Sequence, residues 1–128
     1  MVVDTSAVVA ILADEAEAEV LARAIADAPA AVMSVVNYVE LMMVALSRGL
    51  AGRAEIEELL EDAGIARESV TLAQSELAIE AFERFGKGRH GASLNFGDCF
   101  AYALAKARAE PLLFKGRDFS RTDIQSAL

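Results

Sequence analysis

Four carboxylates interrupt apolar or loop surroundings in this chain. Asp4 follows Val2-Val3 and precedes Thr5, Ser6 and an alanine- and valine-rich run. Glu40 breaks VVNYVELMMVALS, Asp98 heads LNFGDCFAYALA, and Asp118 lies in LLFKGRDFSRTDI. Three of them have ordinary explanations when taken singly. Asp4 can cap the helix it precedes, Asp98 suits the positive end of a helix, and Asp118 can be a solvated loop acid. Glu40 is harder to explain, because it shares a helical face with Val36, Met43 and Val44 and the nearest cation, Arg48, is two turns away. An ionised carboxylate in an apolar stripe needs a partner or a metal. Glu40 is therefore expected to be buried, on a helix with little face toward water.

Taken together the four acids point to a cation. Two carboxylates about 4 Å apart repel by roughly 4 kcal/mol at an effective dielectric near 20, and a divalent ion removes that conflict. An all-oxygen set suits Mg2+ or Mn2+ rather than zinc, and no clustered Cys and His supply zinc ligands. Cys99 is the only cysteine and reads as a core thiol, while His90 is the only histidine, which leaves nucleophilic triads little to work with. The chemistry that fits is metal-assisted attack on a phosphodiester.

A nucleic-acid substrate at first conflicts with a net charge of −8. The charge is unevenly spread. Residues 1–83 carry 4 basic and 16 acidic side chains, and residues 84–128 carry 8 and 4. Arg84, Lys87 and Arg89, with His90, fall in a glycine-punctuated stretch, and Lys115, Arg117 and Arg121 fall in a second one near the end of the chain. These six are the candidate residues for binding a nucleic-acid polyanion around an acidic centre.

The elements that must position these groups alternate. Candidate strands are Val2-Val3, Ala31 to Val35, Ser69 to Leu72, Pro111 to Phe114 and a weak one near Ile124. Between them run helical patterns over about Ala7 to Asp27 (broken near Ala13-Asp14), Val36 to Arg48, Arg53 to Ala63, Leu72 to Phe85, and Gly97 to Ala109. That order predicts an α/β fold with a mainly parallel sheet covered on both faces. Ligands in such folds bind beyond the carboxyl ends of the strands, where Asp4 falls. At 128 residues a single domain, 1–128, is expected. The 55% hydrophobic content contains no run long enough to span a membrane and suggests an apolar oligomer face. A lone cysteine and the lack of a signal-peptide pattern lead us to expect a reduced, cytoplasmic setting.

With these four fragments in this order, the chain resembles the PIN-domain ribonucleases, and among them the VapC-type toxins of bacterial toxin-antitoxin pairs. The resemblance runs from MVVDTSAVVAIL through SVVNYVEL and LNFGDCFAYALA to LLFKGRDFSRTDI. It implies a three-layer α/β/α PIN domain with Asp4, Glu40, Asp98 and Asp118 as the acidic quartet, Asp4 and Asp98 being the direct metal ligands. Ser6, Asn95 and Thr122 match polar positions that support such a site. The family further implies a homodimer that cleaves RNA internally with Mg2+ or Mn2+, leaving a 3′-hydroxyl and a 5′-phosphate. A cognate VapB-type antitoxin would pack its tail along the toxin. The apolar second and third helices are the candidate partner contacts. The competing reading is a non-catalytic PIN-fold module that binds protein or RNA, in which the quartet could be neutralised without loss of function. Phosphoryl-transfer domains with acids at parallel strand ends fit less well, since Ser6 stands where a dehalogenase-like protein carries a second Asp.

Overall fold

The computed structural model describes residues 1–128. The chain runs β1 (Val2–Val3), α1 (Thr5–Leu12), α2 (Ala18–Asp27), β2 (Ala31–Ser34), α3 (Val35–Ser47), α4 (Arg53–Asp62), β3 (Ile65–Glu68), α5 (Leu72–Phe85), α6 (Phe96–Arg108) and β4 (Leu112–Leu113), then a short 3-10 turn at Phe119–Arg121. The four strands form one sheet in the order β3-β2-β1-β4, and every pairing is parallel. Val2 pairs with both Val32 and Leu112, so the shortest strands lie at the centre and far edge of the sheet.

Period-two alternation divides the strands between two apolar cores. Val2, Val32 and Leu112 face α5 and α6, packing with Phe85, Tyr102 and Leu104. Val3, Met33 and Leu113 face the other way, against Val8, Leu21, Leu41 and Ile56 of α1 to α4. The result is the expected three-layer α/β/α arrangement. From β1 the chain steps outward to β2 and β3, then returns to lay β4 on the opposite side of β1. The switch point therefore lies between β1 and β4, and Asp4 stands at its carboxyl end.

Three local expectations are corrected. The third strand is Ile65–Glu68 rather than Ser69 to Leu72. The β-branched Thr71 is used instead as the cap of α5, its side chain accepting a hydrogen bond from the Gln74 N–H. The segment near Ile124 forms a single bridge, Leu112 to Ser126, and not a strand. Finally, α3 is far from buried all round: Leu41 and Ala45 are in the core, while Val39 and Met43 are 52% and 65% exposed. The break expected near Ala13-Asp14 is present, with Asp14 in the left-handed region at φ 51°.

Candidate metal centre

Asp4 ends β1 and caps α1, and this double duty determines how its carboxylate is held. Its backbone is extended (φ −82°, ψ 155°), so the side chain turns back over the first helical turn. Oδ2 accepts hydrogen bonds from the Ser6 backbone N–H at 2.9 Å and from the Ser6 hydroxyl at 2.5 Å. Ser6 is fixed in turn by the Lys115 N–H, which donates to its Oγ at 3.0 Å and so ties the end of β4 to the start of α1. Oδ1 is buried and has no partner. Burial, reinforced by the negative charge of Glu40, pushes the Asp4 carboxyl up to about 6, against the stabilising bonds from Ser6.

Asp98 is held by a reciprocal cap at the start of α6. Its N–H donates to Asn95 Oδ1 at 2.9 Å, and its Oδ2 accepts from the Asn95 N–H at 3.0 Å. The side chain is nevertheless buried, and burial pushes its carboxyl up to about 7. The charges of Asp4, Asp118 and Glu40 all add to that rise. The charges of three acids far apart in sequence thus reach Asp98 through space, and that of Glu40 also reaches Asp4.

Glu40 and Asp118 lie nearer solvent. The expectation of a buried Glu40 is corrected: it is half-buried, because one side of α3 is open. Its carboxylate rests against Gly97, where an added Cβ would overlap it. It also borders an apolar hollow of about 600 Å³ lined by Val36, Val39, Met43 and Phe96. Asp118 is exposed, just ahead of the turn anchored by buried Phe119. Thr122 shapes that turn, its hydroxyl donating to the Phe119 carbonyl at 2.7 Å and accepting from the Ile124 N–H at 3.2 Å.

The donor set can be tested against a cation. No three His, Cys, Asp or Glu side chains converge into a ready-made cage. An Mg2+-like ion does not need one, since it keeps several waters and takes one or two carboxylates. Asp4 supplies an oxygen that is buried and unpartnered. Asp98 supplies a carboxylate whose ionisation is opposed by three other acids, an opposition a dication reverses. The residues fit a hard divalent ion bound through oxygen.

The six basic candidates divide into three groups. Lys87 and Arg117 are exposed and make no ion pair. Arg89 and Arg121 serve the loop: Arg121 donates to the Gly91 carbonyl at 3.1 Å, joining the two basic stretches, and Arg89 donates to the Glu83 carbonyl at 3.2 Å. Arg84 and Lys115 are engaged with carboxylates. Arg84 sits in the last turn of α5 rather than in the loop, between Glu80 at 3.4 Å and Asp123 at 3.6 Å. Lys115 pairs with Glu15 and, at 3.5 Å, with Glu17.

Two residues escaped the reading of the sequence. Asn37 is fully buried between the helices that carry the acids, and its only signal was a lone amide in an apolar helical run. Asp123 accepts from the Tyr102 hydroxyl at 2.8 Å and from Lys106 at 2.7 Å, clamping the last segment to α6. Nothing local in TDI announces those partners.

A family model described as PIN domain matches residues 1–125. The chain is 50% identical over 125 residues to a ribonuclease VapC of Mycolicibacterium smegmatis, covering 97% of each chain. It is 45% identical to ribonuclease VapC30 of Mycobacterium tuberculosis, covering 97% of this chain and 95% of that one. Among solved structures, the sarcin-ricin loop cleaving toxin VapC20 of M. tuberculosis matches with a TM-score of 0.75 at 23% identity, over 96% of this chain and 95% of that one. A toxin-antitoxin complex from Klebsiella pneumoniae matches with a TM-score of 0.70 at 15% identity, over 95% and 92%. At those identities the two structures speak for the fold alone.

Proposed function

The chain belongs to the PIN-domain family, among its VapC ribonucleases, and from that premise we propose how this toxin-type endoribonuclease works. It acts as one domain over 1–128 and hydrolyses RNA at a site made by Asp4, Glu40, Asp98 and Asp118. The observation that carries this is the buried, unpartnered Oδ1 of Asp4 beside an Asp98 whose charge the other three acids oppose. Asp4 and Asp98 would hold Mg2+ or Mn2+, which supplies an activated water and neutralises charge on the phosphate oxygens.

The chain's own residues do the rest. Ser6 presents Asp4 by occupying Oδ2 and leaving Oδ1 free. Asn95 orients Asp98 through the reciprocal cap. Glu40 and Asp118, with greater access to solvent, stand where they can accept a proton from the attacking water or complete the ion's surroundings. Lys87 and Arg117 are free to contact RNA phosphates flanking the cut. Cleavage leaves a 3′-hydroxyl and a 5′-phosphate.

A cognate VapB-type antitoxin is the partner that restrains the enzyme. The exposed apolar side of α3, with Phe96, is the face through which two copies form a homodimer, and the protein works in the cytoplasm. No helix is long and apolar enough to cross a membrane.

The test is cleavage of total cellular RNA by the purified, antitoxin-free protein with Mg2+, with Mn2+ or with EDTA, alongside Asp98→Asn. Discrete fragments that require both the metal and Asp98 are expected. Equal cleavage by Asp98→Asn, with contaminating nuclease excluded, would overturn the assignment and favour a non-catalytic role.

A further inference from the structure

Asp4 ahead of α1, Glu40 on α3 and Asp98 on α6 need something to set their spacing, and one buried amide on α3 bonds to both of the other helices. Asn37 lies on α3 one turn before Glu40 and is wholly shielded from solvent. Its Nδ2 donates to the Gly97 carbonyl at 3.0 Å and reaches the Thr5 hydroxyl at 3.5 Å. The Thr5 hydroxyl donates to the Asn37 carbonyl at 3.1 Å. Thr5 adjoins Asp4, and Gly97 adjoins Asp98. The Oδ1 atom of Asn37 is buried without a partner, so the amide engages the neighbouring helices only through its Nδ2 donors.

Gly97 meets α3 a second time. The Glu40 carboxylate occupies the space a Cβ at position 97 would take. Asn37 therefore holds the first turn of α6 against α3 at Gly97, where the missing side chain leaves room for the Glu40 carboxylate.

We infer that Asn37 and Gly97 form a positioning clasp that sets the separation of Glu40, Asp98 and Asp4, and so determines how tightly the site takes its ion. This rests on the metal-dependent reading above. Neither residue is a ligand. Each acts through a neighbour.

The experiment is titration of Mn2+ into the metal-free, full-length protein by calorimetry, for the native chain, Asn37→Leu and Gly97→Ala, with thermal melting of each. Asn37→Leu removes the donors at similar volume; Gly97→Ala keeps them but forces the Glu40 carboxylate aside. Both are expected to melt cooperatively and to bind Mn2+ roughly tenfold more weakly, as loss of outer-shell partners commonly does. In cleavage of a short RNA, kcat should fall more than KM rises. Because Gly97→Ala acts through Glu40, it should cost no further Mn2+ affinity in a Glu40→Ala background, the non-additivity expected of coupled sites.

Unchanged Mn2+ affinity in both variants, or additive losses in the Glu40→Ala background, would overturn the inference. So would failure of both to fold, which would make the contact structural only. A native protein that binds no Mn2+ and cleaves no RNA would instead sink the ribonuclease reading itself, which separates the two failures.

Discussion

Ser6 occupies one oxygen of Asp4 with two hydrogen bonds, at 2.5 and 2.9 Å, and leaves the other oxygen buried and free. The hydroxyl thus orients a carboxylate that the cap alone would hold through a single N–H. Ser6→Ala should lower Mn2+ affinity and cleavage by about tenfold while the fold persists. Calorimetry and a short-RNA assay read this directly. Native affinity in the variant would mean that the backbone N–H suffices.

Asp4 and Asp98 make the metal-free protein sensitive to pH in an unusual direction. Their carboxyls are raised from 3.8 to about 6 and about 7. The folded state therefore keeps protons that the unfolded chain has released, and stability falls as pH rises from about 4 to about 7. Asp98→Asn removes the larger penalty and should raise the melting temperature of the metal-free protein at pH 8 but hardly at pH 4. The gain is on the order of a few kcal/mol. An equal gain at both pH values would assign the effect to something other than charge.

Adding Mn2+ to the native chain should reverse that penalty, because a ligand that binds only the folded state stabilises it by mass action. The melting temperature should rise with Mn2+ at pH 8 and rise far less at pH 5, where the ligands hold protons. Asp98→Asn should lose most of the increment. A rise of the same size at both pH values would place the ion elsewhere.

The basic residues should separate by what they already touch. Replacing exposed Lys87 or Arg117 with Ala should weaken RNA binding and reduce the salt dependence by roughly one unit of slope each, with no loss of stability. Arg84→Ala should instead lower the melting temperature, since Arg84 pairs with Glu80 and Asp123 and lies over the Phe85 ring at 4.7 Å. Binding titrations at several salt concentrations, with melting curves, distinguish the two outcomes.

Val39, Met43 and Phe96 stay exposed on one side of α3 and the start of α6. If that face joins two copies, Met43→Glu should shift the protein toward monomer in sedimentation velocity. An unchanged sedimentation coefficient would move the dimer contact to another surface.

Much of this was legible from short-range chemistry. Asp4 and Asp98 sit where a strand becomes a helix or a helix begins, and their caps are local. The missed strand shows where local reading stops. IARE is charged and sits at an edge, paired on one side to β2, so tertiary pairing rather than β-propensity made it a strand. Glu40 looked buried because its helix is apolar nearly all round, but one side of that helix, at Val39 and Met43, is open to solvent. Asn37 and Asp123 depend on partners 60 and 21 residues away, which periodicity cannot show.

The sheet order also bears on when the protein becomes dangerous to the cell that makes it. Val2-Val3 pairs with Val32 on one side and with Leu112-Leu113 on the other, and Ser6 is held by the N–H of Lys115. A chain synthesised from its first residue exposes the Asp4 segment early, but cannot complete the surroundings of that carboxylate until residues 112–115 have left the ribosome. Nearly the whole domain must be made before the proposed site is complete. Long-range pairing of this kind also slows folding, and a nascent or prematurely terminated chain lacks the bonds that hold Asp4 in place.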